Sequence, residues 1–270
     1  SGWDAQDEEV LELYNNDKIQ EGFFKDELQL DSNGEKVFVG VRYSSLSWGD
    51  VDNDGDLDLV VMGIPYDLAT TGRAGTRHGP QAVRRASANL RWEEKRWPCS
   101  FTATDRLNVI DYGDIEFNPG DCPDAESSII DHVGRVHNKQ KKTLCFGGDH
   151  FVTLPQLRAV HQNRGTVALV QFDAHTDTYE ESSEYDHGGM FYAAPKENLI
   201  DPSHSIQIGI RTEYESDPDI RVIDAAKAND MACDDIVAAI KDRVGDMPIY
   251  LTFDIDCLDP AYAPGTGTPV

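Results

Sequence analysis

From about residue 48 onward, short apolar runs alternate with longer amphipathic segments. The runs that we predict as strands are 57–62, 107–110, 143–146, 166–172, 205–210 and 249–253. Most are uninterrupted hydrophobic stretches, as expected of strands that are buried on both faces of a parallel sheet. Segments 79–90 and 234–244 carry helix-start signals, namely an early proline and early acidic residues. The pattern is typical of βαβ units and predicts an α/β fold with a mainly parallel sheet, helices on both faces and thus three layers.

The two ends of the sequence differ from this pattern. Residues 1–47 are polar and acidic, with one helix-like stretch around Val10, Leu11 and Tyr14. We therefore predict an acidic N-terminal arm over 1–47 and one α/β domain over 48–270. The last eight letters, APGTGTPV, predict a loop where a sheet of this kind needs a closing strand and helix. We expect the C-terminal part of the domain to be missing from this sequence.

Composition narrows the class of protein. The net charge is -25, and phosphate backbones attract Lys and Arg, so we expect no nucleic-acid partner. A solvated acidic surface is the simplest explanation of this charge. No apolar run approaches the roughly 20 residues of a membrane span. The five cysteines form no CxxC pair, which favours a reducing compartment. We expect a soluble, cytoplasmic protein without a membrane partner.

Three of the predicted strands run directly into acidic and histidine-containing segments. These segments are GGDH at 147–150, DAHTD at 173–177 and DIDCLDP at 254–260. The carboxyl ends of parallel strands border the crevice in which ligands bind in open α/β sheets. We therefore expect the three segments to meet at one site, although they are far apart in the sequence.

The residue types in these segments point to a metal site. Extended backbone alternates its side chains, so Asp173, His175 and Asp177 are predicted to point one way, as are Asp254 and Asp256. The candidate ligands are His150, Asp173, His175, Asp177, Asp254 and Asp256. Four carboxylates gathered in a crevice repel one another unless cations offset their charge. The pattern predicts two divalent metal ions.

The ligand set also indicates the metal and the chemistry. Oxygen-rich sites with a few imidazoles and no thiolate favour manganese over zinc or copper, and iron, cobalt and nickel remain alternatives. Two neighbouring metal ions share a hydroxide that forms near neutral pH and acts as a nucleophile. Hydrolysis is therefore the predicted reaction class.

Other signals are weaker. Asp149 is interpreted as a turn or capping residue, not as a ligand. The acidic run Asp50–Asp58 resembles part of a calcium loop, but Val61 stands where the bidentate glutamate belongs, so an acidic turn is the simpler reading. Arg73 and His78 lie in a glycine-rich loop for which we expect a structural role. We predict no catalytic role for His132, His137 and His161.

The motifs GGDH, FDAHTD and DIDCLDPAYAPGTGTP resemble the three signature motifs of the ureohydrolases, the family that includes arginase and agmatinase. The resemblance extends from Gly63 to Val270 and is closest to bacterial agmatinases, for example in FGGDHFVTLP, DHGGMFY and IGIRTEY. It implies an arginase-like fold and the manganese-dependent hydrolysis of agmatine to putrescine and urea. It also implies a homotrimer or a homohexamer.

The resemblance assigns roles to matching positions. One manganese would be held by His150, Asp173, Asp177 and Asp254, and the other by Asp173, His175, Asp254 and Asp256. A hydroxide shared by the two ions would attack the guanidinium carbon, and Asp177 would help to orient it. His187, in DHGGMFY, matches the family's proton shuttle to the leaving amine.

The substrate remains open within the family. The loop between Asp177 and His187 lacks the Asn and Ser-Gly-Asn elements with which arginases hold an α-amino acid, so arginine is disfavoured. Any of Glu181, Glu184 and Asp186 would suit the amine of agmatine. Guanidinobutyrate and free guanidine are rival substrates. The family's substrate-gripping glutamate lies on a later strand than this sequence reaches, which keeps a catalytically silent metal-binding subunit as an alternative.

Overall fold

The computed structural model describes residues 27–30, 36–39, 58–88, 101, 108–180, 183–214 and 219–270. Its strands are β1 Glu27–Leu30, β2 Lys36–Val39, β3 Leu59–Ile64, β4 Val109–Asp114, β5 Lys142–Gly147, β6 Ala168–Phe172, β7 Ile206–Ile210, β8 Arg221–Asp224 and β9 Ile249–Phe253. Its helices are α1 Gly79–Ser87, α2 Cys122–Asn138, α3 Thr153–Arg164, α4 Met190–Lys196, α5 Ala225–Asp230 and α6 Cys233–Val244.

All six predicted strands are present, with ends that move by a few residues. The prediction missed β8, a four-residue strand with little hydrophobic signal, and the antiparallel pair formed by β1 and β2. The helix-like stretch near Val10 and residues 50–57 of the acidic run lie outside the described residues. None of the helices in the described part of the chain combines the length and hydrophobicity that a bilayer span requires.

The chain divides into two compact units, and the first contains a sheet with the strand order β4-β3-β5. Strand β3 pairs in parallel with β4, and Leu59 lies opposite Val109. Helix α1 is joined to β4 by Arg84, whose Nε lies 2.8 Å from an oxygen of Asp111. Because both side chains of this pair are largely buried, the ion pair fixes the helix on its strand.

The second unit contains a sheet with the order β8-β7-β6-β9, in which the paired strands are parallel. Side chains alternate along β6, so Leu169 packs with residues of α3 and α4, whereas Ala168 and Val170 pack towards α6. Each buried leucine of this kind contributes roughly 2 kcal/mol through the hydrophobic effect. Helices therefore cover both faces of this sheet, as a three-layer architecture requires.

Strand β9 lies at one edge of this sheet. Its Ile249, Leu251 and Phe253 are half exposed or more, whereas Tyr250 packs against the cluster beneath α3. Thr252 points to the same side as Tyr250, because side chains alternate along a strand. Its hydroxyl is thereby directed towards His150, which lies 2.9 Å away.

Helices α2 and α3 share a buried histidine. Arg164 donates from Nε to Nδ1 of His137 over 3.2 Å. Burial lowers the pKa of His137 to about 4, and the charge of Arg164 acts in the same direction. The residue is thus a neutral packing group between the two helices.

Candidate metal centre

The chain leaves β5 through Gly148, which passes very close to the segment after β3. A Cβ at this position would lie 1.6 Å from the carbonyl oxygen of Tyr66. The amide of Gly148 donates to Ile64 O at 3.0 Å, and the amide of Asp149 donates to Tyr66 O at 2.7 Å. Only glycine allows this approach, which places His150 at the carboxyl end of β5.

Asp149 has the predicted structural role. Its side chain caps the short 3-10 helix His150–Val152 by accepting from the amide of Phe151 at 3.0 Å, and it also accepts from the amide of Ala69 at 3.0 Å. Burial raises the pKa of Asp149 to about 7. Because both oxygens accept backbone hydrogen bonds, Asp149 directs its neighbour His150 into the site.

The residues after β6 converge as predicted, but not by strand alternation. The strand ends at Phe172, and the backbone then bends, with one oxygen of Asp173 accepting from the amide of His175 at 2.7 Å. Asp177 adopts a left-handed conformation with φ of 52°. Non-glycine residues rarely adopt this conformation, so the local turn, and not a period of two, aims Asp177 at the site.

The residues after β9 are locked by hydrogen bonds of their own. Asp254 accepts from the amide of Asp256 at 2.9 Å and begins a 3-10 turn. Asp256 is fully buried and accepts from the amide of Ala174 at 3.1 Å and from the hydroxyl of Thr268 at 2.9 Å. The ends of β6 and β9 are thus bound to each other at the site.

Five of the six predicted ligands form two overlapping groups, and the sixth, Asp177, lies beside His150. Nδ1 of His150 lies 2.8 Å from Asp177, 3.1 Å from Asp173 and 3.5 Å from Asp254, measured to the carboxylate oxygens. Nδ1 of His175 lies 3.0 Å from Asp256 and 3.6 Å from Asp173. The donor atoms of His150, Asp173 and Asp254 all lie within 4.8 Å of one another, as do those of Asp173, His175 and Asp256. Asp173 belongs to both groups.

The environment of His150 fits a bound cation. Its Nε2 forms a hydrogen bond with Thr252 at 2.9 Å, whereas its buried Nδ1 has no well-directed hydrogen bond within the described part of the chain. Three carboxylates nevertheless surround Nδ1 at short distance. A ring held through one nitrogen, with the other facing several carboxylates, is the usual arrangement of a metal-binding histidine.

The carboxylates and histidines strongly perturb one another's pKa. Burial and the charge of Asp173 raise the pKa of Asp177 to about 7. Burial raises the pKa of Asp254 to about 6, with the charges of Asp173 and Asp256 adding to it. Burial disfavours the charged ring of His150, but the adjacent carboxylates outweigh it and raise its pKa well above the usual range. Such mutual shifts show how much negative charge the site concentrates.

Two buried glutamines support Asp173, and the sequence analysis missed them. Gln171 donates from Nε2 to Asp173 at 2.7 Å and to the carbonyl of His175 at 3.2 Å. Gln207 donates from Nε2 to Oε1 of Gln171 at 2.6 Å and to the carbonyl of Thr176 at 2.7 Å. A polar residue inside the apolar run VALVQF was the available signal, because buried amides need partners.

A cavity of about 370 Å³ opens over the metal-ligand groups. It is lined by Thr71, His150, Asp173, His175, Asp177, Tyr179, Asp186, His187, Gly188, Asp254, Asp256 and Thr268. A hydrogen bond of 3.0 Å joins Nε2 of His187 to the hydroxyl of Thr71. Burial lowers the pKa of His187. The glycine-rich loop therefore contributes Thr71 to the cavity, whereas Arg73 and His78 are not among its lining residues.

Of the acidic residues suggested for the substrate amine, Asp186 lines the cavity. Glu184 is exposed and is not a lining residue, and Glu181 lies outside the described residues.

The sequence model of the arginase family matches residues 57–270. The chain belongs to the arginase family. Arginase-family enzymes are binuclear metal hydrolases, which agrees with the two overlapping ligand groups around Asp173. Membership also confirms the predicted arginase-like α/β fold.

Among curated arginase-family relatives, an agmatinase of Serratia proteamaculans is 59% identical over 217 residues, which cover 80% of this chain and 71% of the relative. A crystal structure of a hypothetical agmatinase from Burkholderia thailandensis matches with a TM-score of 0.77 and 44% identity, covering 86% of this chain and 76% of the other. Proclavaminate amidino hydrolase from Streptomyces clavuligerus matches with a TM-score of 0.74 and 34% identity, covering 86% of this chain and 80% of the other.

Proposed function

We propose that this protein is a manganese-dependent agmatinase, which hydrolyses agmatine to putrescine and urea. The observation that carries the proposal is the pair of overlapping ligand groups sharing Asp173, in a chain that is 59% identical to an agmatinase over 217 residues. The cavity above these groups is lined by five aspartates, including Asp186, and would attract a cationic guanidinium.

Two divalent cations would be held by the predicted ligands. His150, Asp173, Asp177 and Asp254 would hold one ion, and Asp173, His175, Asp254 and Asp256 the other. An oxygen-rich set with two imidazoles favours manganese over zinc, with iron, cobalt and nickel as alternatives. When bound, such ions supply an acidified water molecule for attack on the guanidinium carbon.

Residues of the chain would then transfer the proton that the leaving amine needs. The amine that leaves a guanidinium is strongly basic and must be protonated as its C–N bond breaks. His187 lines the cavity, and burial lowers its pKa and so favours the neutral ring. A neutral ring would accept a proton from the attacking water and pass it to the leaving amine. Thr71 holds one ring nitrogen and leaves the other for the leaving amine. Asp177, the closest carboxylate to Nδ1 of His150, would help to orient the attacking water.

The test measures urea release by the manganese-loaded full chain from agmatine, arginine, 4-guanidinobutyrate and guanidine. His150→Asn removes a ligand, and His204→Asn is a matched control, because His204 is a half-exposed surface residue paired with Asp201. We expect agmatine-selective urea release and bound manganese in the wild type and in the His204 variant, and a loss of both in the His150 variant.

Each alternative has its own outcome. If urea is released preferentially from 4-guanidinobutyrate or guanidine, that compound and not agmatine is the substrate. Bound manganese without any urea release would identify a catalytically silent metal-binding subunit and overturn the enzymatic proposal. We also propose a homotrimer or homohexamer, as expected of the family, and light scattering during size-exclusion chromatography measures it.

A further inference from the structure

Two described parts of one loop, residues 179–180 and 183–188, lie beside the cavity. The loop is closed at its base by a hydrogen bond of 3.0 Å from the amide of Tyr179 to the carbonyl of Gly188. Its second half is shaped by a turn in which the amide of Asp186 donates to Ser183 O at 3.1 Å. Both ends of the loop contribute lining residues. The base of the loop is therefore a defined part of the cavity wall.

The acidic residues of this loop lie in different environments. The carboxylate of Glu180 contacts the hydroxyl of Tyr192 on helix α4. Glu184 is exposed and does not line the cavity. Asp186 is half-buried and does line it. Among the described acids of the loop, Asp186 is therefore the one that lines the cavity.

The two carboxylate oxygens of Asp186 differ in their hydrogen bonding to the described residues. Oδ1 accepts from the amide of Gly188 at 2.7 Å, which fixes the side chain. Within residues 183–214 and the other described ranges, no donor forms a hydrogen bond to Oδ2. A carboxylate oxygen has lone pairs for two or more donors, so Oδ2 is suited to an ammonium group of a ligand.

Tyr179 provides an apolar surface beside this carboxylate. A Cβ on residue 188 would lie 2.9 Å from the Tyr179 ring, so the absence of a side chain there lets the ring pack against the backbone. The ring and Asp186 both line the cavity. An aromatic face next to a carboxylate suits a chain of methylene groups that ends in a cation.

His187 follows Asp186 in the chain and lines the same cavity as the metal-ligand residues. Its pKa is lowered first by burial; the charge of Asp186 opposes this, while those of His150 and His175 add to it. Because Asp186 and the metal-ligand residues line one cavity, a single ligand in it can contact both.

We infer that Asp186 binds the cationic end of the substrate and that Tyr179 packs against its alkyl chain, so that the site selects guanidines with an ammonium tail. This inference rests on the proposed function, because it assigns the second end of the same substrate. Asp186 is then a specificity-determining residue that acts in binding and not in bond cleavage.

The test compares Asp186→Asn with Glu184→Gln in the manganese-loaded full chain. Asparagine retains an oxygen acceptor for the amide of Gly188 and removes only the charge, whereas Glu184→Gln removes a charge from the exposed part of the same loop. The substrates are agmatine, pentylguanidine, in which a methyl group replaces the ammonium, and 4-guanidinobutyrate. Putrescine binding, measured by calorimetry, and manganese content complete the set.

For Asp186→Asn we expect kcat/KM for agmatine to fall about 10- to 100-fold, chiefly through KM, as for loss of one partner of a partly buried charge pair. The value of kcat/KM for pentylguanidine should change less than about threefold, because this compound makes no ion pair. Putrescine binding should weaken about tenfold or more, and kcat/KM for 4-guanidinobutyrate should rise. Glu184→Gln should resemble the wild type, and manganese content should stay unchanged in both variants.

Equal losses on agmatine and pentylguanidine, or equal effects of the two variants, would overturn the assignment of Asp186. If the wild type hydrolyses none of the guanidines, the proposed function fails separately. Putrescine binding then still decides the role of Asp186, because unchanged affinity in Asp186→Asn refutes it and weakened affinity supports it.

Discussion

The two buried glutamines behind Asp173 offer a test of how the fold positions a metal ligand. We predict that Gln171→Leu destabilises the protein and weakens manganese binding. The substitution removes the donor to Asp173 and to the carbonyl of His175, and it removes the acceptor for Gln207. The side chains of Gln171, Asp173 and Gln207 are at most 1% exposed, so water does not replace the lost bonds around Asp173.

The magnitude follows from these contacts. An unsatisfied buried polar group costs about 1–3 kcal/mol. The carbonyl of His175 is bonded at 3.2 Å and is partly accessible, and Gln207 retains its bond to Thr176, so their losses are small. The free energy of unfolding should therefore fall by about 2–4 kcal/mol. Manganese affinity should fall about 10- to 100-fold, as is usual when a ligand loses its hydrogen-bonded support.

The assay has two parts. Urea unfolding of chelator-treated protein measures stability without metal, and titration calorimetry of the folded protein measures manganese affinity. Gln156→Leu is the matched control, because Gln156 is also buried but donates to the carbonyl of Val152 in its own turn. It should cost about 1 kcal/mol and leave metal affinity unchanged.

A double-mutant cycle with Gln207→Leu separates the effect of the hydrogen bond between Gln207 and Gln171 from the effect of lost packing. The two substitutions should couple by about 0.5–3 kcal/mol, because they share one hydrogen bond. If Gln171→Leu changes stability by less than about 0.5 kcal/mol and leaves manganese affinity unaltered, the glutamines do not support Asp173.

Three further perturbations test other parts of the structure. Burial favours neutral His137 in the fold, so its contribution to stability is complete above pH 6.5 and is lost as the pH falls towards 4. In His137→Gln, the fall in the free energy of unfolding between pH 6.5 and 4 should be smaller than in the wild type by about 2 kcal/mol, after allowance for solvent screening. Urea unfolding across that range measures it, and the same pH dependence in both proteins would contradict it. Gly148→Ala should cost at least about 3 kcal/mol by forcing a methyl group onto the carbonyl of Tyr66, and a thermal midpoint like that of the wild type would refute the close approach. Thr71→Val should lower kcat about three- to tenfold and shift its pH profile by freeing His187, whereas Thr71→Ser should restore both, and an unchanged profile in the valine variant would exclude this role.

Local signals in the sequence account for the strands and for the ligand residues. The runs before Gly147, Asp173 and Asp254 are apolar because strands buried on both faces need hydrophobic side chains throughout. Ligands follow such strands because the carboxyl ends face the crevice. These features depend on residues close together in the chain, and they sufficed to predict the α/β fold and the six candidate ligands.

The same local signals do not determine which side chains meet across the fold. Asp149 and His150 are neighbours, yet the amides of Ala69 and Phe151 make Asp149 a cap. Asp177 reaches the site through a left-handed turn that no alternation rule predicts. Strand β8 was missed because its hydrophobic signal is short.

Tertiary structure alone decided the supporting contacts. The pairing of Thr71 with His187 joins residues 116 positions apart, and Gln207 reaches Gln171 across 36 positions. Asp186 and Glu184 are acidic residues of the same loop, yet Asp186 lines the cavity and Glu184 does not. Hydrophobic periodicity is a property of neighbouring residues, whereas these contacts exist only after the strands have packed and brought distant segments to one edge of the sheet.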